Sequence, residues 1–169
     1  MMGAGKSAVG RAIARRLDWR YVDLDEAIER AQGSSVAEMF QRRGEEAFRA
    51  EETRRLAEVL EEPPPLVVAA GGGVVVDPAN RARLASSATV VWLRARPATL
   101  ARRVGDAAGR PLLSGAGGRD LEERLAALCA QREGWYRESA DVVVDVDDLG
   151  LDEVVARVLA GAGVSGEAG

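Results

Sequence analysis

Short apolar segments alternate along this chain with longer segments in which apolar residues recur at the spacing of a helix. Val9, Ile13 and Leu17 follow that spacing and predict a helix over residues 6–17. The run from Leu66 to Ala70 is apolar without alternation, as in a buried parallel strand. Further strands are predicted at 20–25, 88–93 and 141–145. Further helices are predicted at 26–60, 119–139 and 151–160. Two more helices are predicted between these, one that begins at Asp77-Pro78 and another that ends near Val104. This order predicts an α/β fold in three layers, a parallel sheet flanked by helices.

The helical segment at 26–60 is interrupted by glycines. Gly33 and Gly44 each break the pattern, and Ser35 and Glu38 have the spacing of a capping box that opens the second helix. Three short helices after a strand predict a small subdomain at about residues 24–60. Residues 1–161 are expected to form one domain, followed by a frayed tail over 162–169.

Glycines also dominate both ends of residues 105–118, and Arg110 lies between them. Hinges around a central cation are what a mobile lid over a phosphoryl-transfer site needs, so this segment is predicted to be a lid. The alternative is a solvated surface loop, against which the apolar run after Arg110 argues.

Candidate chemistry begins with the first residues of the chain. Gly3-Ala4-Gly5-Lys6-Ser7 matches the second half of the phosphate-binding loop G-x-x-x-x-G-K-[ST]. Glycines allow backbone N–H groups to surround phosphate oxygens, and the following helix points its positive end at the same anion. Lys6 is expected to reach the β- and γ-phosphates, and the hydroxyl of Ser7 to bind Mg²⁺. The strand that precedes such a loop, about ten residues with its turn, is expected upstream of Met1.

Composition narrows the possible functions. Lys6 is the only lysine among 23 basic residues, as expected if this position needs a compact ammonium group. The net charge of −4 argues against general binding of nucleic acid or of a membrane surface. The chain has no histidine, one cysteine (Cys129) and no apolar run of membrane length, which excludes His-dependent catalysis and an internal disulfide. We expect a monomer in the reducing cytoplasm.

Two acids end the strand predicted at 20–25. Alternation places Asp23 and Asp25 on the same side of an extended segment. One carboxylate could hold hydrated Mg²⁺ and the other could accept a proton from a substrate hydroxyl. The alternative is a pair of solvated turn acids, with Asp25 capping the next helix.

Two further motifs suggest contacts to a small ligand. Arg49 and Glu52 are one helical turn apart, so Glu52 could orient Arg49 toward a carboxylate, although a surface ion pair is favoured by the sequence alone. The three glycines at 71–73 directly follow a predicted strand and indicate a close approach of backbone to ligand, or else a flexible turn.

Together and in this order, these motifs resemble the shikimate kinase family. They are the phosphate loop, D-x-D at 23–25, F-R-x-x-E at 48–52, G-G-G at 71–73, R-P-L-L at 110–113 and Arg132 before Trp135-Tyr136. The resemblance extends to about Leu159. It implies a P-loop fold like that of nucleoside monophosphate kinases, with five parallel strands, the first of which would be missing from the N-terminus. It also implies transfer of the γ-phosphoryl group of ATP to the 3-hydroxyl of shikimate, with Mg²⁺ as cofactor, in chorismate and aromatic amino acid biosynthesis.

The resemblance also assigns residues to each part of the site. The catalytic residues would be Lys6, Asp25 as the base, and Arg110 against the transferring phosphate. ATP would contact Gly3, Ala4, Gly5, Lys6, Ser7, Ala8 and Arg110, with Arg103 near the adenine. Shikimate would contact Asp25, Arg49, Gly71, Gly72, Gly73 and Arg132. The metal would lie near Ser7 and Asp23, and Glu52 would orient Arg49.

Three positions depart from the family pattern and bear on nucleotide affinity. Ala8 lacks the hydroxyl usual after the loop serine, Ala69 and Ala70 precede the triple glycine where Ser or Thr is common, and Leu149 falls near where some members have Arg. The rival functions are another small-molecule kinase such as a gluconate kinase, a nucleoside monophosphate kinase, and a nucleotide-binding regulator without catalysis. Binding of ATP without shikimate-dependent release of ADP would favour the regulator.

Overall fold

The computed structural model describes residues 1–105 and 119–164. Its strands are β1 (Arg20–Asp23), β2 (Leu66–Ala69), β3 (Val91–Arg94) and β4 (Val142–Asp145). Its α-helices are α1 (Lys6–Leu17), α2 (Leu24–Gln32), α3 (Val36–Leu60), α4 (Pro78–Ser87), α5 (Pro97–Val104), α6 (Arg119–Ser139) and α7 (Leu151–Gly161), and a short 3-10 helix covers Val74–Val76. Apart from Gly105, the predicted lid at 105–118 lies outside the described residues, as does the tail beyond residue 164.

The strands form two parallel pairs. β1 pairs with β2, with Tyr21 opposite Val67, and β3 pairs with β4. Helix α1 packs against β1, β2 and α7, and α7 packs against β4. The predicted α/β class, parallel strands flanked by helices, is therefore confirmed. Within the described residues β2 and β3 are not hydrogen-bonded to each other, so the sheet is in two halves. The further strand expected before the phosphate loop stays a prediction.

Strand β1 ends earlier than its sequence predicts. Asp23 accepts a hydrogen bond from the Glu26 N–H at 3.5 Å and caps α2, so Asp25 lies in the first turn of that helix. The prediction that both acids lie on an extended segment was wrong, as was the alternative in which Asp25 is the cap. The physical reason is that a carboxylate at the cap and acids in the first turn are stabilised by the positive end of the helix. The other elements agree with their predicted bounds to within a few residues.

The glycine breaks in the segment after β1 are confirmed. Gly33 ends α2 in the left-handed conformation, and Ser35 and Glu38 form the capping box of α3, with bonds of 3.2 and 2.9 Å between side chain and backbone N–H. Inside α3, Gly44 has φ 81° and ψ 172°, which kinks the helix. The kink divides α3 into two parts, and both contribute to the cavity described below.

The core joins the helices that carry the candidate site. The side chains with no exposed surface include Leu24, Ile28, Leu56, Leu100 and Leu125, which come from α2, α3, α5 and α6. Helices packed through shared core side chains hold their remaining faces in fixed relation to one another. Among residues 1–105 and 119–164, no helix combines the length and the apolar character needed to cross a bilayer.

Replacing Gly44 with alanine should destabilise the protein. The backbone at Gly44 lies in a region that residues with a side chain rarely adopt, which costs about 1–3 kcal/mol, although open space surrounds the position. Gly134→Ala is the matched control, because Gly134 lies inside α6 with equal space around it and should gain about 0.5–1 kcal/mol. Urea unfolding measures both free energies. Equal stability of the two variants would contradict the strain at Gly44.

Candidate active site

One cavity of about 680 Å³ gathers nearly all of the residues singled out from the sequence. It opens where β1 and β2 end, since both Asp23 and Ala69 line it. Its lining also includes residues of the phosphate loop, α2, α3, the triple glycine, α5 and α6. The predicted site residues that line it are Gly3, Gly5, Lys6, Ser7, Ala8, Asp23, Asp25, Arg49, Gly71, Gly72, Gly73, Arg103 and Arg132. Ala4 is buried beside the cavity, and Arg110 lies outside the described residues.

The phosphate loop forms one end of the cavity. Gly5 caps α1 with a left-handed backbone, so the N–H groups of the first helical turn have no partner within the helix and can bind an anion. Lys6 extends back over the loop, and its Nζ donates to the Met1 carbonyl at 3.0 Å. This is the geometry expected of a loop that surrounds phosphate oxygens.

Ser7 and Asp23, the predicted metal residues, are in direct contact. The Ser7 hydroxyl donates to Asp23 Oδ2 at 2.7 Å, and the Tyr21 hydroxyl donates to the same oxygen at 3.1 Å. A hydroxyl and a carboxylate are the hard oxygen ligands that Mg²⁺ prefers, and Mg²⁺ is usually bound by few protein groups together with substrate phosphates. Among the described residues there is no larger cluster of acids or cysteines that could hold a metal by itself. The donor set therefore fits a magnesium ion shared with a nucleotide.

Asp25 lies between the two ends of the cavity. Burial, aided by the negative charge of Asp23, raises the pKa of the Asp25 carboxyl, while the charges of Lys6 and Arg49 act in the opposite direction. A carboxylate with a raised pKa is a stronger base than a solvated one. Asp25 can therefore accept a proton from a hydroxyl group held beside it.

A buried ion pair forms the other end. Arg49 Nη1 donates to Glu52 Oε2 at 2.6 Å, and Glu52 is only 1% exposed. Burial raises the pKa of the Glu52 carboxyl, and the charge of Arg49 opposes that rise. The Arg49 guanidinium lies against Gly73 so closely that a Cβ there would be 2.0 Å from Nη1. The sequence alone favoured a surface ion pair here, and the structure shows a half-buried Arg49 in the cavity lining that pairs with the buried Glu52 and also with the exposed Glu45.

Arg132 adds a second guanidinium group to this end. It is 5% exposed, and its Nη1 donates to the Gly72 carbonyl at 3.2 Å. Its Nε is buried without a hydrogen-bond partner in the described structure, as is Glu52 Oε1. Buried polar groups are normally paired, so these two atoms are exceptions among the described residues, as are three more on side chains outside the cavity lining.

Arg103 lines the cavity from α5. Its Nη2 donates to the Val146 carbonyl at 2.7 Å, which ties α5 to the segment after β4. This position agrees with the expectation of a contact near the base of a nucleotide, which stays a prediction.

Three aromatic residues at the acceptor end were not assigned to the site from the sequence, although Phe48 and Tyr136 belong to motifs quoted above. Phe40 and Phe48 line the cavity with ring centroids 4.8 Å apart, and the Arg49 guanidinium lies 5.2 Å from the Phe48 centroid. The chain has only two phenylalanines, and this scarcity was the available signal that both serve one site. Tyr136 donates to the Gly72 carbonyl and stacks on Trp92 at 5.3 Å. Burial raises the pKa of Tyr136 to about 12, so its hydroxyl keeps its proton and remains a donor.

A phosphate loop that shares one cavity with a carboxylate base and two guanidinium groups, one of them buried, defines a P-loop kinase for a small acidic acceptor. Comparisons with known proteins identify the family to which the chain belongs within that class. The family described as "Shikimate kinase" matches residues 2–162. The chain therefore belongs to the shikimate kinase family.

The relatives and solved structures agree with this assignment. The shikimate kinase of Stenotrophomonas maltophilia (strain R551-3) is 41% identical over 94% of this chain and 86% of its own length. That of Aromatoleum aromaticum is 45% identical over 86% of this chain and 81% of its own length. The structure of shikimate kinase from Acinetobacter baumannii in complex with shikimate matches with TM-score 0.88 and 32% identity, over 94% of this chain and 86% of that one. The structure of shikimate kinase from Bacteroides thetaiotaomicron matches with TM-score 0.89 and 31% identity, over 97% of this chain and 95% of that one.

Replacing Asp25 with asparagine should raise thermal stability. Burial raises the pKa of the Asp25 carboxyl on folding, so the protein loses stability as the pH rises above the pKa of the unfolded chain, and at pH 7 the wild type bears a cost that a neutral side chain avoids. The neutral variant should melt higher, by about 2–4 °C for each kcal/mol recovered. Asp148→Asn, at an exposed acid, is the matched control and should change little. A lower melting temperature for Asp25→Asn, measured by calorimetry at pH 7, would show that the ionised carboxylate stabilises the fold.

Proposed function

We propose that this chain transfers the γ-phosphoryl group of ATP to the 3-hydroxyl of shikimate, giving 3-phosphoshikimate and ADP in chorismate and aromatic amino acid biosynthesis. The observation that supports it best is the layout of the cavity. Lys6 and the loop residues, the Asp25 carboxylate, and the guanidinium groups of Arg49 and Arg132 all line it together. A donor triphosphate and an acceptor carboxylate would therefore bind with the reacting hydroxyl near the base.

The acceptor end has the chemistry that a small carboxylated polyol requires. Arg49 and Arg132 are proposed to bind the carboxylate, which would also give the buried Arg132 Nε its missing partner. Gly71, Gly72 and Gly73 line the cavity, and the acceptor ring is proposed to lie against their backbone. Asp25 is proposed to bind a ring hydroxyl and to accept its proton. The helical segment at about 24–60 supplies Asp25, Arg49 and the rings of Phe40 and Phe48 to the cavity. We therefore assign it the role of an acceptor-binding subdomain.

The donor end is proposed to hold ATP with Mg²⁺. The loop residues from Gly3 to Ala8 would surround the phosphates, Ser7 and Asp23 would hold the metal, and Arg103 would lie near the adenine. Mg²⁺, when bound, supplies charge neutralisation of the phosphates. Lys6 would neutralise further negative charge, and Arg110 of the lid is proposed to do the same for the transferring group. We propose that the protein works as a monomer in the cytoplasm, with no nucleic-acid or membrane partner.

Release of ADP should depend on shikimate and not on gluconate. A coupled assay of ADP formation, run with each acceptor at equal concentration, distinguishes this kinase from its nearest rival and from a regulator that only binds ATP. Lys6→Met should lower turnover by at least about 10²–10³-fold, because it removes the one ammonium group at the developing charge. Turnover with gluconate alone, or ATP binding without ADP release, would contradict the proposal.

Arg132→Ala should weaken acceptor binding more than it slows the chemical step. Losing charged hydrogen bonds to a carboxylate costs about 1.5–3 kcal/mol, which corresponds to a rise in the KM for shikimate of about 10–100-fold. Arg137→Ala is the matched control on the same helix, since Arg137 is exposed and paired with Glu133. An unchanged KM for shikimate in Arg132→Ala would remove Arg132 from the acceptor site.

A further inference from the structure

Tyr21 is in contact with the candidate metal residues but does not itself line the cavity. Its hydroxyl donates to Asp23 Oδ2, the oxygen that also accepts the Ser7 hydroxyl. Within residues 1–105 and 119–164, the hydrogen bond given for the other carboxylate oxygen, Oδ1, is the cap contact of 3.5 Å to the Glu26 N–H. The orientation of the Asp23 carboxylate therefore depends mainly on the two hydroxyl groups.

The Tyr21 ring is itself fixed on three sides. A Cβ added at Gly10 would lie 2.8 Å from Tyr21 Cε2, so the ring occupies the space that this glycine leaves in α1. A glycine inside a helix costs about 0.5–1 kcal/mol relative to alanine, so room for the ring is a physical reason for a glycine at this position. Val67 lies opposite Tyr21 in the β1–β2 ladder, and the Arg11 guanidinium lies 5.4 Å from the ring centroid. These contacts hold the Tyr21 ring so that its hydroxyl lies beside Asp23.

We propose that Tyr21 is a positioning residue for the divalent cation. Its hydroxyl holds the Asp23 carboxylate in the orientation in which that carboxylate also accepts the Ser7 hydroxyl. Ser7 would bind the same cation, so its bond to Asp23 cannot be the only restraint on that carboxylate. Tyr21 bonds to Asp23 from outside the cavity lining, so a ligand in the cavity does not need to displace it. Groups that orient a metal-binding side chain from behind change metal affinity by about 10–100-fold when they are removed. The inference rests on the proposed use of Mg²⁺ with ATP.

The test compares Tyr21→Phe with the wild type by calorimetric titration of ADP, in excess Mg²⁺ and in EDTA. The variant keeps the ring, its contact with Gly10 and its position beside Arg11, and loses one hydroxyl. We expect the factor by which Mg²⁺ tightens ADP binding to fall about 10-fold, and the ADP affinity in EDTA to stay within about 2-fold. The Mg²⁺ concentration that gives half-maximal turnover should rise, with kcat at saturating Mg²⁺ nearly unchanged.

Two further variants separate positioning from a general loss of structure. In the Asp23→Asn background, Tyr21→Phe should have no additional effect on the Mg²⁺ factor, because Tyr21 acts through that carboxylate. Tyr136→Phe removes the other tyrosine hydroxyl and should weaken shikimate binding while leaving the Mg²⁺ factor intact. A Tyr21→Phe protein that melts lower and binds shikimate more weakly, but keeps the Mg²⁺ factor, would overturn the proposal.

The outcomes also distinguish the two proposals. If Mg²⁺ tightens ADP binding by the same factor in the wild type and in Tyr21→Phe, the role of Tyr21 is overturned and the proposed function still stands. A wild type whose ADP affinity does not respond to Mg²⁺ would overturn both the metal site and the role of Tyr21. Additive effects of Tyr21→Phe and Asp23→Asn would likewise overturn a role exerted through Asp23.

Discussion

The acceptor end of this site depends on the buried ion pair between Arg49 and Glu52. A charge removed from water is costly unless a partner of opposite sign compensates it, and removing Arg49 would leave the buried Glu52 carboxylate without its hydrogen-bonded cation. Glu52 is almost wholly buried, so its presence makes sense only with Arg49 beside it. The pair also determines the backbone opposite, because the Arg49 guanidinium occupies the space that a side chain at position 73 would need. One electrostatic contact within α3 thus accounts for an acid, a base one helical turn away and a glycine in a different segment of the chain.

The same arrangement recurs around the cavity. A group that would touch ligand is held by a second group that does not line the cavity. Asp23 is held by Tyr21, and the Gly72 carbonyl by Tyr136, while Arg132, itself in the lining, also donates to that carbonyl. Such support keeps the lining in one arrangement before substrates arrive, which is the condition under which fixed charges act most strongly on a reaction. The supporting residues come from β1 and α6, so regular secondary structure holds the cavity lining in place.

The sequence predicted the residues whose chemistry is tied to a fixed spacing, and it failed where packing decides. Lys6 and Ser7 were identified because a phosphate loop has an ordered pattern, and Arg49 because Glu52 lies one turn away. Phe40 was missed because a phenylalanine in a helix usually belongs to the core, and its place in the cavity lining follows from tertiary packing. Asp25 was assigned to the right site on the wrong element, since alternation along a strand cannot reveal where helix α2 begins. The division of the sheet into two pairs depends on long-range pairing, which no local pattern contains.

The stack of Trp92 on Tyr136 gives the chain an optical probe of its own acceptor site. Tyr136 bonds to the carbonyl of Gly72, in the loop against which the acceptor ring is proposed to lie. An indole in van der Waals contact with a ring that is bonded to this loop senses changes there through its emission. Ligands of the acceptor end can therefore be followed by intrinsic fluorescence, in unlabelled protein and without a coupled enzyme.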